Sequence, residues 1–366
     1  MSMGTPSQVV ILPPGDGPLE ILDVEIPEPE AYQLVVKEYA SGICHTQISQ
    51  IHGPRDANIV LGHEATGVVL KTGSEVTYVQ EGDTVLVTWV PRAASETSRL
   101  PQHSQIELPD GSVAASRNIF TWSEVTIIDE QFVVKVDPDI DKEVTSIIGC
   151  AVMTGAGAVE NTAGVKAGES VAIFGVGGVG LSAVASARNL GAEPIIAVDL
   201  DQEKLEFARR FGATHTINAS KEDPIAAIKA LTQRDRYCIV DGLAVSGADY
   251  TFDCIGGKKT MDQILAAART GYLGGERGGT AVLVGIPFSP AELDVMDLLF
   301  HEKKFIGSVG GSCSPGHEFP KYLDWHDSGK LDLNVLVTAR YSIDEINEAS
   351  RALAEGEISG RAILVF

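Results

Sequence analysis

The sequence predicts an α/β protein, with a doubly wound parallel sheet beside a second, β-rich domain. Three observations carry this. A 366-residue chain exceeds one ordinary core and suits two domains of ~150 residues, with a cleft between them. Its first third is made of short β-branched runs broken by turn residues, whereas its middle alternates apolar strands with helical segments. That alternation is the pattern of a parallel sheet covered on both faces.

From Val9 to about Val136 the strand candidates are "QLVVKEYA", "TGVVLKTG", "DTVLVTWV" and "EVTIIDEQFVVKV". The texture changes near Glu143. Beyond it, "SVAIFG", "PIIAVDL", "ADYTFDCIG" and "GTAVLVGIP" read as buried strands, separated by the helices "GLSAVASARNLG", "DQEKLEFARRFG" and "TMDQILAAART". After about Gly307 the texture is mixed again. There "SIDEINEASRALAEG" is an amphipathic helix with Ile346, Ala349, Ala352 and Leu353 on one face, and "RAILVF" is a closing strand.

Composition narrows the partners. The 44% hydrophobic and 21% charged residues match a globular protein. A formal charge of −22 repels nucleic acid and anionic membrane surfaces. The N-terminus shows no basic region followed by an apolar core and a cleavage site, so a cytoplasmic location is expected. Cys44, Cys150, Cys238, Cys254 and Cys313 are odd in number and far apart, which suits reduced thiols or metal ligands. The uncharged run "VAIFGVGGVGLSAVASA" holds four glycines and stops at Arg188, so it reads as strand, turn and helix and not as a membrane span.

"GVGGVG" supplies the first site. Gly175, Gly177, Gly178 and Gly180 follow the strand "SVAIF" and open a helix, the context that gives a glycine loop its meaning. Gly175 permits a tight turn, Gly177 lets a pyrophosphate approach the backbone, and Gly180 lets helix pack on strand; the helix N-terminus presents N–H groups to phosphate. Asp199 ends the next strand, nineteen positions past Gly180, where an acid accepts from a ribose hydroxyl and repels a 2′-phosphate. NAD is therefore favoured over NADP. Lys204 is a candidate second ribose contact or an ordinary solvated lysine. "GGERGG" at 274–279 has no preceding strand and carries no weight.

"GICHTQISQ" raises the question of a metal. Cys44, His63 in "VLGHEATGVV" and Cys150 in "IIGCAVMTG" form a Cys/His/Cys set, which with one open position is a known arrangement for catalytic zinc. Spacing alone leaves the alternatives open: the cysteines as small buried hydrophobes and His63 as a hydrogen-bonded turn residue.

Taken in order, "GICHT", "GHEATGVV", "GC…TG", "GVGGVG", "VDLDQEK" and "GRAILVF" resemble the zinc-containing medium-chain alcohol dehydrogenases over essentially the whole chain. The resemblance implies a GroES-like catalytic domain at 1–150, completed by 308–366, around a Rossmann NAD-binding domain at 151–307. It implies Cys44, His63 and Cys150 as ligands of one catalytic zinc, with Glu64 beside the metal. It implies Thr46 as the hydroxyl that takes the alcohol proton, His45 and Arg361 near the cofactor pyrophosphate, and Thr154 beside the nicotinamide. Zinc would help a bound alcohol ionise, its alkoxide then passing hydride to NAD. The substrate implied is a small primary or aromatic alcohol or its aldehyde, and the assembly a homodimer or homotetramer.

Departures from the family pattern modify these expectations. No cysteine lies between Cys44 and Cys150, so no structural zinc is expected in the polar stretch at 90–111, where His103 reads as a solvated loop residue. Gln47 replaces an aspartate that orients the ligand histidine; it can accept a hydrogen bond but brings no charge. Ser49 replaces a relay histidine, with His52 nearby. Trp89 and Trp122 match pocket positions, where they would narrow the site toward a slim or flat substrate, or else they are core aromatics. Cys254 reads as a buried thiol and Asp253 as a strand-end acid. Two other readings remain: a zinc-free quinone or enoyl reductase of the same superfamily, and a noncatalytic dinucleotide-binding protein.

Overall fold

The computed structural model describes residues 4–93, 99–239, 241–272 and 275–366. It divides into two compact units, one of Met1–Ala151 with Ser314–Phe366 and one of Val152–Cys313. The return to the first unit comes at Ser314 and not at 308. Residues 308–313 stay with the second unit because they pack there: Asn161 Nδ2 donates to the Gly311 carbonyl at 3.4 Å, and Thr162 Oγ1 lies 2.8 Å from the Ser308 and Ser312 hydroxyls.

The first unit begins with β1 (Thr5–Leu12), β2 (Glu20–Ile26), β3 (Gln33–Ile43), the short helix α1 (His45–Ile51), β4 (Asn58–Val60), β5 (Glu64–Thr72) and β6 (Thr84–Thr88). It continues through β7 (Gln105–Glu107), β8 (Val113–Ala115), β9 (Val125–Asp129) and β10 (Val133–Lys135). The run "EVTIIDEQFVVKV" is therefore two strands and not one. Asp129 breaks it, its side chain accepting from the Gln131 N–H and capping a 3-10 turn over Glu130–Phe132.

In the second unit α2 (Met153–Gly157) leads to β11 (Val171–Phe174), α3 (Gly178–Leu190), β12 (Ile195–Asp199), α4 (Gln202–Phe211), β13 (His215–Asn218) and α5 (Pro224–Leu231). Then come β14 (Tyr250–Asp253), α6 (Lys258–Ala267), β15 (Thr280–Leu283), α7 (Val295–Phe300) and β16 (Lys304–Gly307). These strands form one parallel sheet, β13-β12-β11-β14-β15-β16. Strand order reverses direction at β11, which places the end of that strand, where the glycine loop begins, at the topological switch point. Ala172, Phe174, Ile196, Val198 and Ala281 are buried, as a sheet covered on both faces requires.

The chain returns through α8 (Pro315–Asp327), α9 (Leu333–Leu336), β17 (Val337–Tyr341), α10 (Ile346–Ala354) and β18 (Arg361–Val365). The first unit has a five-stranded sheet, β2-β1-β4-β8-β7, and a seven-stranded one, β10-β6-β5-β3-β18-β17, with β9 also on β3. The eleven-residue β3 organises the latter. Its first half pairs with β9, and its last four residues, Ala40–Ile43, pair antiparallel with β18. The C-terminal strand is thereby zipped to the strand that delivers Cys44.

Trp122 belongs to the core of this unit. It is fully buried among Val10, Ile43, Ile346 and Leu364, and its indole N–H donates to the Gly42 carbonyl at 3.1 Å. Of its two readings, the pocket position is corrected to core aromatic, because an indole so enclosed presents no face to a ligand.

Candidate metal centre and dinucleotide site

Cys44 caps α1 at its N-terminus, His63 immediately precedes β5, and Cys150 lies in the π-helical turn Ile148–Val152. The fold brings the ligand atoms of all three within 4.8 Å of one another. His63 Nε2 is 3.2 Å from Cys150 Sγ, and both cysteines are buried. A hydrogen bond from Cys150 holds the Cys44 thiol well below its usual range, with nearby Arg361 reinforcing the effect, while that same bond and burial hold Cys150 well above it. One thiolate is thus prepared within the cluster, and thiolate is the form that binds metal.

Close backbone approach shapes this corner. A Cβ on Gly42 would meet Glu64 Oε1 at 2.3 Å, and one on Gly149 would meet the Val87 carbonyl at 2.1 Å, so only glycine fits beside each cysteine-bearing turn. Glu64 is wholly buried. One carboxylate oxygen pairs with Arg361 Nη2 and the other accepts from the Ala151 N–H at 3.2 Å. Burial raises the Glu64 pKa, and Arg361 opposes that rise. Burial works against the Arg361 charge, but Glu64, Cys44 and Cys150 together hold its pKa above the ordinary value. Arg361, expected near the cofactor phosphates, is 5% exposed and has its ion-pair partner in Glu64.

Gln47 bridges two ligands. Its Oε1 accepts from the Cys44 N–H at 3.1 Å, and its Nε2 lies 2.5 Å from His63 Nδ1. The sequence suggests an oxygen facing the imidazole; the amide nitrogen stands there because the oxygen is engaged by the Cys44 N–H. Thr46 Oγ1 sits 3.5 Å from Cys44 Sγ. His45 and His52 are exposed, and Ser49 Oγ donates to the His45 carbonyl at 3.1 Å. The half-buried Trp89 ring meets His63 edge-on, with centroids 6.5 Å apart and planes at 73°. His103 is exposed, and residues 94–98 of the stretch at 90–111 lie outside the described residues, as does Gly274 of "GGERGG".

The glycine loop takes the expected shape. Gly175 has φ +86°; a Cβ at Gly180 would lie 1.9 Å from the Gly175 carbonyl oxygen, whereas one at Gly177 would meet nothing within 4 Å. Gly177 caps α3 with no side-chain acceptor for its first N–H groups, and Gly178 begins the helix. Asp199 does more than its spacing indicates. Its Oδ2 accepts from the Val176 N–H of the loop at 3.0 Å, and its Oδ1 accepts from the N–H groups of Leu200 and Asp201 at 2.8 and 3.1 Å. Lys204 is half-buried in the first turn of α4. Thr154 is buried on α2, its hydroxyl without a partner.

Comparison with known proteins decides the family. Residues 30–138 match the alcohol dehydrogenase GroES-like domain, and residues 178–328 match the zinc-binding dehydrogenase family. An alcohol dehydrogenase class-3 from Cereibacter sphaeroides is 33% identical, over 95% of this chain and 96% of its own. The chain belongs to the zinc-type medium-chain alcohol dehydrogenase family. As a member it is an NAD-dependent oxidoreductase that uses zinc. An S-(hydroxymethyl)glutathione dehydrogenase from Escherichia coli is 32% identical over 93% of this chain and 94% of its own. Among solved structures, benzyl alcohol dehydrogenase from Acinetobacter calcoaceticus superposes with a TM-score of 0.83 at 28% identity, covering 99% of each chain. A Burkholderia ambifaria alcohol dehydrogenase zinc-binding domain protein gives 0.84 at 27%, again over 99% of each.

Within this family member, two contacts at the candidate sites had no sequence signal: the Glu64–Arg361 pair joins residues nearly three hundred positions apart, and the Asp199–Val176 bond depends on loop geometry.

Proposed function

We propose that this chain oxidises a primary or aromatic alcohol with NAD⁺, and reduces the corresponding aldehyde, at a single catalytic zinc held by Cys44, His63 and Cys150. The observation that carries the reading is the convergence of those three donors, one already favoured as thiolate. Two sulfurs, one imidazole nitrogen and an open position are the donor set of a catalytic zinc. Zinc bound there supplies a Lewis acid for an alcohol or carbonyl oxygen. Thr46 Oγ1, able both to donate and to accept, takes the alcohol proton, and the adjacent exposed His45 provides a basic group toward solvent or the pyrophosphate. Glu64 balances Arg361 and braces the start of β5.

Trp89 supports the aromatic preference, since its ring stands against a proposed metal ligand and offers a flat apolar wall. Asp199 supports NAD: a carboxylate has about four lone-pair positions, and the three backbone N–H groups leave acceptor capacity for a ribose hydroxyl. Its charge disfavours a 2′-phosphate. The unpartnered Thr154 hydroxyl suits a polar contact with the nicotinamide, and Lys204 a ribose contact. Assembly into a homo-oligomer is supported by α7, where Val295, Met296 and Leu299 are exposed.

A panel of primary, secondary and aromatic alcohols with NAD⁺ and NADP⁺ tests the reading. The highest kcat/KM is expected with benzyl-type or primary alcohols, and with NAD⁺ by about 10-fold or more over NADP⁺. NAD binding without turnover of any alcohol or aldehyde would favour a binding protein, and zinc-independent reduction of enones a reductase.

A further inference from the structure

A buried acid with no catalytic or ligand role ends β14. Asp253 is fully buried, and its place on β14 is opposite Phe174, the last residue of β11. These two strands are neighbours at the point where the strand order reverses, so the crevice for a dinucleotide lies outside their carboxyl ends. One wall is the glycine loop that follows Phe174. The other is the turn "CIGG" that follows Asp253 and leads into α6.

The Asp253 side chain builds that turn. Its Oδ1 accepts from the N–H groups of Ile255 and Gly256 at 2.9 and 3.1 Å, the pattern by which an aspartate folds the chain just beyond itself. The backbone ties the turn to its neighbours on both sides. The Asp253 carbonyl accepts from the Val284 and Gly285 N–H groups at 2.9 and 2.8 Å, and the Cys254 N–H donates to the Phe174 carbonyl at 2.9 Å. Gly256 takes φ +80°, and a Cβ there would run into the Ile286 carbonyl. The turn is wedged between the loops that follow β11 and β15.

What the turn presents to the crevice is Ile255. Its side chain is half exposed and stands against the glycine loop, where a Cβ on Gly175 would run into Ile255 Cγ1 and meet Cδ1 at 2.9 Å. The isoleucine and the positive-φ glycine fix each other's place. The second carboxylate oxygen of Asp253, Oδ2, is buried without a hydrogen-bond partner among the described residues. Such an oxygen costs stability, so the acid is explained by what Oδ1 holds and not by what it adds to the core.

We propose that Asp253 is a positioning residue for the dinucleotide: its Oδ1 fixes the 254–257 turn so that Ile255 stands against Gly175 as the second wall of the crevice. Being fully buried, Asp253 acts through Ile255 and not by contact with the cofactor. The proposal rests on the glycine loop as the dinucleotide site and is independent of the metal and the alcohol.

NADH titrated into the full chain and followed by fluorescence tests it, with thermal unfolding recorded for each variant. Asp253→Ser is expected to raise the NADH Kd by about 10-fold, whereas Asp253→Asn, which keeps the Oδ1 acceptor, stays within about 2-fold of the wild type. Ile255→Ala, at a half-exposed position, should fold and weaken NADH by a similar factor. Adding Asp253→Ser to it should cost no further affinity, because the acid works through that side chain. A wild-type Kd in folded Asp253→Ser or in Ile255→Ala would overturn the proposal. Equal losses in Asp253→Ser and Asp253→Asn would do the same by making charge the cause, and a full further loss in the double variant would make Asp253 a general support of the sheet. Should Asp253→Ser not fold, Asp253→Asn and Ile255→Ala carry the test. Gly177→Val checks the site itself, since a Cβ there meets nothing within 4 Å and the added side chain fills the approach to the loop. Wild-type affinity in Gly177→Val would place the cofactor elsewhere and overturn both readings; affinity lost there but kept in Ile255→Ala would overturn this one alone.

Discussion

Gln47 uses both ends of its amide on proposed zinc ligands, the oxygen on the Cys44 N–H and the nitrogen on His63 Nδ1. A neutral imidazole that gives Nε2 to a metal carries its proton on Nδ1, and there an amide N–H is the wrong partner. A carboxylate would accept from that Nδ1–H and raise the basicity of the ligand, an effect typically worth 10–100-fold in metal affinity. Gln47→Asp is therefore predicted to raise, by about 10-fold, the chelator concentration that halves alcohol oxidation. An unchanged value would remove Gln47 from control of the metal. Residue identity was legible in the sequence where a motif names it, as for Cys44, His63 and Gly175. Partners were not: Trp122 matches a pocket position in one dimension, yet its indole N–H finds the Gly42 carbonyl inside the core.

β3 carries a buried liability midway along its length. Glu38 is wholly buried, both carboxylate oxygens lack a partner, and burial raises its pKa well above the usual range. The folded state therefore favours the protonated acid. Its stability contribution is present below the unfolded pKa of about 4.3 and is lost as pH rises toward the folded value, at up to about 1.4 kcal/mol per pH unit. Glu38→Met, similar in length and free of charge, is predicted to match or exceed the wild type near pH 5 and to gain further by about pH 8. Urea melts at the two pH values check this, and parallel stabilities would contradict it. At this scale, strands with unbroken apolar runs, such as β11, β12 and β15, were readable. β13 and β16 were not, because "HTIN" and "KFIG" are short and mixed in polarity. α8 was hidden by the proline and charges inside it, although Phe319, Tyr322 and Trp325 bury its inner face.

Over the whole molecule, the two-unit organisation was legible because the change of texture from β-rich to alternating marks a real change of architecture. The return point was misplaced by a few residues, since the segment after β16 keeps its hydrogen bonds within the second unit while reading as loop. Among the described residues no helix is long and apolar enough to cross a membrane. The apolar side chains of α7 are instead predicted to lie in a subunit interface. Light scattering should give the wild type a multiple of the 38.7 kDa chain mass and Leu299→Asp a smaller species; equal masses would place the interface elsewhere.

The central claim is that Cys44, His63 and Cys150 hold the metal on which alcohol oxidation depends. The most direct measurement is NADH formation from benzyl alcohol by one preparation before chelation, after it, and after return of Zn²⁺, with Cys44→Ser run in parallel. Activity should vanish on chelation and return with zinc in the wild type, while the folded variant stays inactive throughout. Full turnover by the metal-free protein, or by Cys44→Ser, would contradict the claim.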